Sequence, residues 1–230
     1  MGQSQSFNLL NKNVQRWVWK QQWDSFRDIQ EKAIDPILMA EQDVIISAAT
    51  AGGKTEAAFL PACSKIAEET PGGVGILYIS PLKALINDQY RRLRSLCECI
   101  KIPATPWHGD VSQSVKNKRK KDPAGIFLIT PESLESLLLN QSGWCLNAFS
   151  SLCYIIIDEF HSFIGSERGC QLQSLMHRLE FILQKTIPRI ALSATLGDMD
   201  QVADYLRPNS EKECVRIIST ASHSDLKLQL

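Results

Sequence analysis

Five short, almost unbroken apolar runs constrain this chain more than any other feature. They are Val44-Ile45-Ile46, Gly75-Ile76-Leu77-Tyr78-Ile79, Ile126-Phe127-Leu128-Ile129, Tyr154-Ile155-Ile156-Ile157 and Arg189-Ile190-Ala191-Leu192. They lack the polar alternation of a half-solvated strand, so each is expected to be buried on both faces of a parallel sheet. Amphipathic stretches alternate with them: Lys54 to Glu69, Leu82 to Leu96, Glu132 to Leu139, Gly169 to Gln184 and Met199 to Leu206. The first is closed by Pro71-Gly72-Gly73. Strand and helix in alternation predict an α/β fold, a doubly wound, mostly parallel sheet with right-handed crossovers. Ligands of such sheets gather at the carboxyl ends of the strands, which singles out the residues that directly follow each run.

A length of 230 residues suits one large domain with a substantial core. No repeat, low-complexity linker or second composition regime interrupts it. The organisation expected is an N-terminal extension over residues 1–23, one domain over 24–210 and an exit segment over 211–230. Within the exit, Cys214-Val215-Arg216-Ile217-Ile218 reads as a further strand. Trp17, Trp19 and Trp23 cluster in and beside the extension, where core packing and base stacking are the two available uses.

Lys plus Arg equals Asp plus Glu at 25 each, so no bulk positive charge attracts nucleic acid, and any such binding must come from a local patch. The densest candidate is Lys116, Lys118, Arg119, Lys120 and Lys121, just after Trp107-His108-Gly109-Asp110. It reads either as a set of phosphate contacts or as a solvated helix face before Pro123. No apolar run approaches membrane-spanning length, and the N-terminus lacks the apolar stretch of a secretory signal. Met1-Gly2-Gln3-Ser4-Gln5-Ser6 fits the loose myristoylation pattern and is read as a polar, frayed end. Seven cysteines, an odd number with no CxxC pair, point to reduced and mostly buried thiols in a cytoplasmic protein.

Ala48-Ala49-Thr50-Ala51-Gly52-Gly53-Lys54-Thr55 follows the first run and opens a helical stretch, the context a phosphate-binding loop needs. Backbone N–H groups and the positive end of the helix would cradle the phosphates of ATP. Gly52 and Gly53 allow the close approach, Lys54 reaches the β- and γ-phosphates, and the Thr55 hydroxyl ligates Mg²⁺. The first position is Ala48 rather than the Gly of the general pattern. After Ile155-Ile156-Ile157 come Asp158-Glu159-Phe160-His161. Two acids ending a buried strand are costly unless they face a cation or water. Asp158 is expected to hold Mg²⁺ and Glu159 to activate the attacking water, so Lys54, Asp158 and Glu159 are the expected catalytic set.

Taken together these motifs resemble a superfamily 2 helicase over about residues 23 to 200. Ala48 to Thr55 is similar to motif I, departing from it at Ala51 where Gly is usual. Asp158-Glu159-Phe160-His161 is similar to the DExH form of motif II, and Ser193-Ala194-Thr195 to motif III. Phe26-Arg27-Asp28-Ile29-Gln30 resembles the upstream motif in which Gln reads the adenine edge, which places Phe26, Arg27 and Gln30 at the nucleotide. Pro81-Leu82-Lys83-Ala84-Leu85 resembles motif Ia and Thr130-Pro131-Glu132-Ser133-Leu134 motif Ic. The resemblance implies nucleic-acid contacts at Pro81, Lys83, Gly109, Asp110, Thr130, Pro131 and Glu132. It also implies a role for His161, Ser193, Ala194 and Thr195 in coupling ATP to the strand. Ile79 to Leu85, Asn87-Asp88-Gln89, Thr130 to Leu134 and Gly165-Ser166-Glu167-Arg168-Gly169 are similar to the large helicase-related, or Lhr-type, branch.

What the resemblance implies in turn is a RecA-like lobe that binds Mg-ATP and one face of a nucleic-acid strand, DNA being favoured over RNA. The arginine finger would belong to a second RecA-like lobe that this stretch does not contain, so the chain is expected to be one lobe of a longer protein. The rival class is a stand-alone P-loop nucleotide-binding module or regulatory switch. A P-loop kinase would lack the SAT triplet, the Gln30 motif and the TPES element.

Overall fold

The computed structural model describes residues 4–49, 52–69, 72–194, 198–210 and 212–219. Seven strands among these residues form one sheet: β1 (Val44–Ser47), β2 (Val74–Ile79), β3 (Ala104–Trp107), β4 (Gly125–Ile129), β5 (Tyr154–Ile157), β6 (Arg189–Ser193) and β7 (Val215–Ile218). Their spatial order is β3-β4-β2-β5-β6-β1-β7, and every neighbouring pair is parallel. The five apolar runs are β1, β2, β4, β5 and β6, each buried along its whole length.

Side chains alternate between the two faces of the sheet, and both faces are covered. Ile46, Ile76, Tyr78, Leu128, Ile156 and Ile190 pack with α1 (Lys12–Lys20), α2 (Asp28–Met39), α3 (Lys54–Glu69) and α4 (Lys83–Ile100). Ile45, Leu77, Ile79, Phe127, Ile155 and Ile157 pack with α6 (Pro131–Asn140), α7 (Ser142–Ala148), α8 (Glu167–Leu183) and α9 (Met199–Leu206). The remaining helix, α5 (Gln113–Lys121), buries no residue and carries the basic run.

β3 has no counterpart among the five expected strands because Pro106 interrupts its pattern. It is an edge strand, paired with β4 alone, so the missing N–H of Pro106 costs no ladder bond on its open side. The N-terminal segment contributes Phe7, Leu10, Val14, Trp17 and Val18 to the same core as α2 to α4. The expected frayed end is tied down from Ser4, whose hydroxyl donates to Glu31 Oε1 at 2.8 Å; residues 1–3 lie outside the described residues. Trp17 is a core residue whose Nε1 donates to Ser95 Oγ at 2.9 Å, whereas Trp19 is 65% exposed.

At the amino ends of β1 and β6, opposite the motif loops, a buried ionic cluster joins four elements. Glu180 of α8 accepts from Arg189 Nη2 at 2.7 Å and from Arg207 Nη1 at 3.0 Å. Asp43 accepts from Arg207 Nε at 2.5 Å and from the Arg189 backbone N–H at 2.8 Å. This end of the sheet is pinned, and the other end is free to bind. Among the described residues no helix is long and apolar enough to cross a membrane.

Candidate nucleotide site and nucleic-acid interface

β6 lies between β1 and β5, so the loops after these three strands meet at one edge. Ala48 N–H donates to Ser193 O at 3.3 Å, and Ser47 Oγ donates to Ala194 O at 3.2 Å, tying the phosphate loop to the strand end beside it. A cleft of about 910 Å³ opens there, and Arg27, Gln30, Gly52, Gly53, Lys54, Thr55, Asp158, Glu159 and Ala194 all line it. Thr50, Ala51 and Thr195 lie outside the described residues. Ala49 adjoins this edge through its carbonyl. Phe26 does not line the cleft; its ring packs against Phe7 and Trp23, at centroid distances of 6.0 and 6.4 Å. Trp23 itself is half-buried and does line the cleft.

The two glycines are held by space and backbone. A Cβ on Gly52 would stand 2.8 Å from Ala49 O. Gly53 has φ +89°, and a Cβ there would stand 2.8 Å from Gln30 Nε2. Only glycine therefore fits at this join of loop and helix. Gln30 is almost wholly buried and its Oε1 accepts the Arg27 N–H at 3.0 Å, which satisfies an orphan donor at the start of α2.

Lys54 opens α3 and its ammonium donates to Ala48 O at 2.6 Å and Ala49 O at 3.1 Å. Burial lowers its pKa from the ordinary value, against the opposing pull of Glu159 and Asp158. Asp158 Oδ1 accepts the Glu159 N–H at 3.0 Å, and Oδ2 accepts the hydroxyl of Tyr78 from β2. Burial first, and the charge of Asp158 second, push the Tyr78 hydroxyl far above its usual range, so it remains a donor. An ionised carboxylate has about four acceptor positions, which leaves Asp158 free ones toward the cleft. Its carboxylate and the Thr55 hydroxyl are hard oxygen donors on one cleft wall, a set that fits Mg²⁺ with retained waters.

Glu159 adopts a left-handed backbone, φ 48°, at the entry to a 3₁₀ turn over Phe160–Ser162. Non-glycine residues are uncommon in that region, which the helix caps Ala40, Lys101 and Gln184 also adopt. His161 in that turn places Nδ1 3.4 Å from Glu159 Oε2, 3.4 Å from Ser193 Oγ and 3.4 Å from Ala194 N. It thus touches Glu159 and the end of β6 together.

A second cleft of about 900 Å³ is lined by Pro81, Lys83, Gly109, Thr130 and Glu132. Lys83 Nζ pairs with Asp110 Oδ1 at 2.8 Å, while Pro131 is buried in the first turn of α6. From α5, Lys116 and Lys120 line the same cleft, 5.7 and 5.9 Å from the centre of the Trp107 ring. The other face of this aromatic group is closed by Trp144, stacked at 5.9 Å, so Trp107 orients the lysines rather than offering a free ring. Of the basic run, Lys118 and Lys121 are exposed and do not line the cleft.

Two further residues escape sequence reasoning. Arg168 donates to Glu132 Oε1 at 2.7 Å and to Pro81 O at 2.9 Å, clamping together the two segments that line the second cleft. A charged residue amid Gly165-Ser166-Glu167-Arg168-Gly169 was its signal. Tyr78 announced itself only as a hydroxyl inside a buried run. His108, a residue whose type suggests metal binding, is buried with Nε2 3.0 Å from Asn87 Oδ1, and no metal-binding cluster occurs among the described residues.

The DEAD/DEAH box helicase family model matches residues 27–202. The chain is 31% identical over 242 residues to the ATP-dependent helicase Lhr-Core of Methanothermobacter thermautotrophicus, which covers 97% of this chain and 27% of that protein. It is also 31% identical to the Lhr-Core helicase of Saccharolobus solfataricus over 214 residues, 87% of this chain and 24% of that protein. The chain spans about a quarter of the length of these curated relatives. In three dimensions it is similar to the Mycobacterium smegmatis helicase Lhr solved with ssDNA and AMP-PNP. That match has a TM-score of 0.83 and 26% identity, and covers 94% of this chain and 28% of that one. The helicase MrfA, solved with DNA, matches with a TM-score of 0.77 and 25% identity over 93% of this chain and 30% of its own. A RecA-like fold, a phosphate loop and an acid pair on one cleft, and a match across most of the sequence lead to one conclusion: the chain belongs to the DEAD/DEAH box helicase family.

Proposed function

We propose that this chain is the ATP-binding lobe of a superfamily 2 helicase or translocase that couples Mg-ATP hydrolysis to movement along nucleic acid. The observation that carries the reading is the convergence of Gln30, Lys54, Thr55, Asp158 and Glu159 on one cleft. Lys54 and the α3 terminus would hold the phosphates, Glu159 would orient and deprotonate the attacking water, and Gln30 would read the base. Mg²⁺, held between Thr55 and Asp158, would supply charge neutralisation at the phosphates. The lobe would span residues 24–210, with 1–23 as an extension packed on it and 211–230 leading toward a second RecA-like lobe in a longer parent. That lobe would supply the arginine finger, which contributes on the order of 10³ to 10⁵ in rate. A cytoplasmic location is consistent with the free cysteines.

Nucleic acid would lie along the second cleft, with DNA favoured because relatives were solved with ssDNA and with DNA. Lys116 and Lys120 belong to that path in this reading, and Lys118 and Lys121 do not. Replacing the first pair with Gln should flatten the log–log salt slope of single-strand binding by roughly 1.4, at about 0.7 per phosphate contact. Replacing the second pair should leave the slope unchanged.

The deciding experiment is ATP binding and steady-state phosphate release by this chain, with and without single-stranded DNA. Binding without appreciable turnover is expected, and Glu159→Gln should leave ATP affinity nearly unchanged. Brisk, strand-stimulated turnover by the chain alone would refute the one-lobe reading, and absence of ATP binding would refute the nucleotide site.

A further inference from the structure

The structure assigns a positioning role to Tyr78: its hydroxyl fixes the rotamer of Asp158 and thereby the metal-binding half of the nucleotide site. The inference rests on the Mg-ATP reading above and concerns a residue outside the recognised motifs. β2 and β5 are adjacent, with Tyr78 in register with Ile156. Side chains two residues apart on a strand share a face, and diagonal neighbours across a strand pair lie within reach of an aromatic side chain. Asp158, two residues beyond Ile156, is therefore the group a tyrosine at this register can reach, and its Oδ2 accepts the Tyr78 hydroxyl.

The Tyr78 hydroxyl meets, besides Asp158, the side chain of buried Ser80. Its ring is almost fully buried and packs on Phe59 of α3 at 5.7 Å. A phenylalanine would fill the same space. A buried tyrosine hydroxyl needs a partner, and here the partner is the acid at the strand end rather than a backbone carbonyl. Tyr154 is the contrast within the same sheet: its hydroxyl donates to the Ile37 carbonyl, a purely structural bond. Asp158 is gripped at both oxygens, by the Glu159 N–H on Oδ1 and by Tyr78 on Oδ2. Its remaining acceptor positions are thereby aimed. Through Phe59 the same ring also packs on the helix that begins with Lys54 and Thr55.

The test uses Tyr78→Phe, Asp158→Asn and the double variant of this chain, with a fluorescent ATP analogue titrated in Mg²⁺ and in EDTA. Loss of an outer partner of a metal ligand reduces metal affinity on the order of 10- to 100-fold. Tyr78→Phe should weaken the Mg²⁺-dependent affinity by that order, leave affinity in EDTA unchanged, and add nothing once Asp158 is Asn. Equal weakening with and without Mg²⁺, or a full effect in the Asp158→Asn background, would overturn the positioning role and leave a packing role. Melting temperatures of all three variants identify a variant that fails to fold. Should the unaltered chain bind the analogue equally in Mg²⁺ and EDTA, the Mg-ATP reading itself fails. Should Asp158→Asn abolish the Mg²⁺ dependence while Tyr78→Phe does not, only the present inference fails.

Discussion

Gln30 caps α2 and, in the proposed reading, would also meet the base, and the two tasks separate on substitution. Its Oε1 accepts the Arg27 N–H at 3.0 Å, and its amide lies against Gly53 at the mouth of the nucleotide cleft. Gln30→Ala removes both. Losing the bond at the start of α2 costs about 1 kcal/mol, and the buried methylene adds about 0.8 kcal/mol. Together these predict a fall in Tm of roughly 4–7 °C for a domain of this size. Gln30→Glu keeps an acceptor for Arg27 but has no N–H to give the base. Facing a donor-deficient side chain with an acceptor on the base costs about 1–3 kcal/mol, a roughly 5- to 150-fold loss in ATP affinity, and guanine, whose matching edge carries two acceptors, gains nothing from the change. The assays are differential scanning calorimetry and competition titration of ATP against GTP. Equal ATP and GTP affinity in the unaltered chain, or an unchanged ATP affinity in Gln30→Glu, would refute the adenine-reading role.

Glu180→Ala strips a carboxylate shared by Arg189 and Arg207 and should cost about 3–5 kcal/mol, since Arg189 is buried and, among the described residues, keeps only the Leu206 carbonyl as a hydrogen-bond partner of its side chain. Urea unfolding measures it, and a loss below about 1 kcal/mol would mean the cluster relaxes freely. Burial pushes the Cys97 and Cys214 thiols up to about 12 and Cys145 and Cys153 to about 11, while Cys170 is exposed. A thiol-disulfide reagent should therefore modify Cys170 rapidly in the native chain and all seven cysteines after denaturation; fast loss of Cys145 would contradict this. Burial pushes the Glu132 carboxyl up, but its own backbone N–H and Arg168 hold it below its usual 4.5. A depressed acid stabilises the fold above its ordinary pKa, and the contribution is lost as pH falls through the folded value. With the carboxylate half exposed it amounts to less than about 1 kcal/mol. Arg168→Ala should raise the Glu132 titration midpoint, read by NMR; an unmoved midpoint would discard the clamp.

The parallel core was legible because its signal is local. Tyr154–Ile157, Lys54–Glu69 and Met199–Leu206 have the bounds their patterns predict, the second in spite of Pro61 inside it. α4 runs on to Ile100 past the expected Leu96, ending at Lys101 in a left-handed cap that no glycine marks. β3 stayed hidden because its proline is harmless only at an edge, and edge position is a property of the whole sheet. α5 looked like either a set of phosphate contacts or a solvated face; Lys116 and Lys120 turn to Trp107 and the second cleft, while Lys118 and Lys121 do not. The same distinction governs the site. The phosphate loop and the acid pair are contiguous in sequence and could be read directly. Tyr78 depends on cross-strand register with β5, and Arg168 on the approach of α8 to two loops, so the partners of neither are visible in a linear pattern.

These two residues also explain how one rigid lobe can join two clefts. β2 carries Tyr78 to the nucleotide side and continues through Pro81 into α4, whose first residue, Lys83, lines the second cleft. The acid pair leads through the turn at Phe160–Ser162 to Arg168, which bonds the same Pro81 carbonyl and Glu132. Both routes from Asp158 therefore meet at Pro81. α4 itself faces both clefts, with Lys83 toward one and Asp88, Gln89 and Arg92 toward the other, and Arg92 is fastened to Glu56 beside Thr55 at 2.8 Å. Packed elements of this kind shift as units rather than deforming continuously. Coupling between two binding sites is reciprocal by thermodynamic necessity. If Pro81 is the junction, an ATP analogue and a single strand must change each other's affinity for this lobe by one common factor. Arg168→Ala must reduce that factor from both directions equally. Spatial convergence alone does not establish coupling; a factor that differs from one, and that falls toward one in Arg168→Ala, is what separates a working junction from two clefts that merely share a wall.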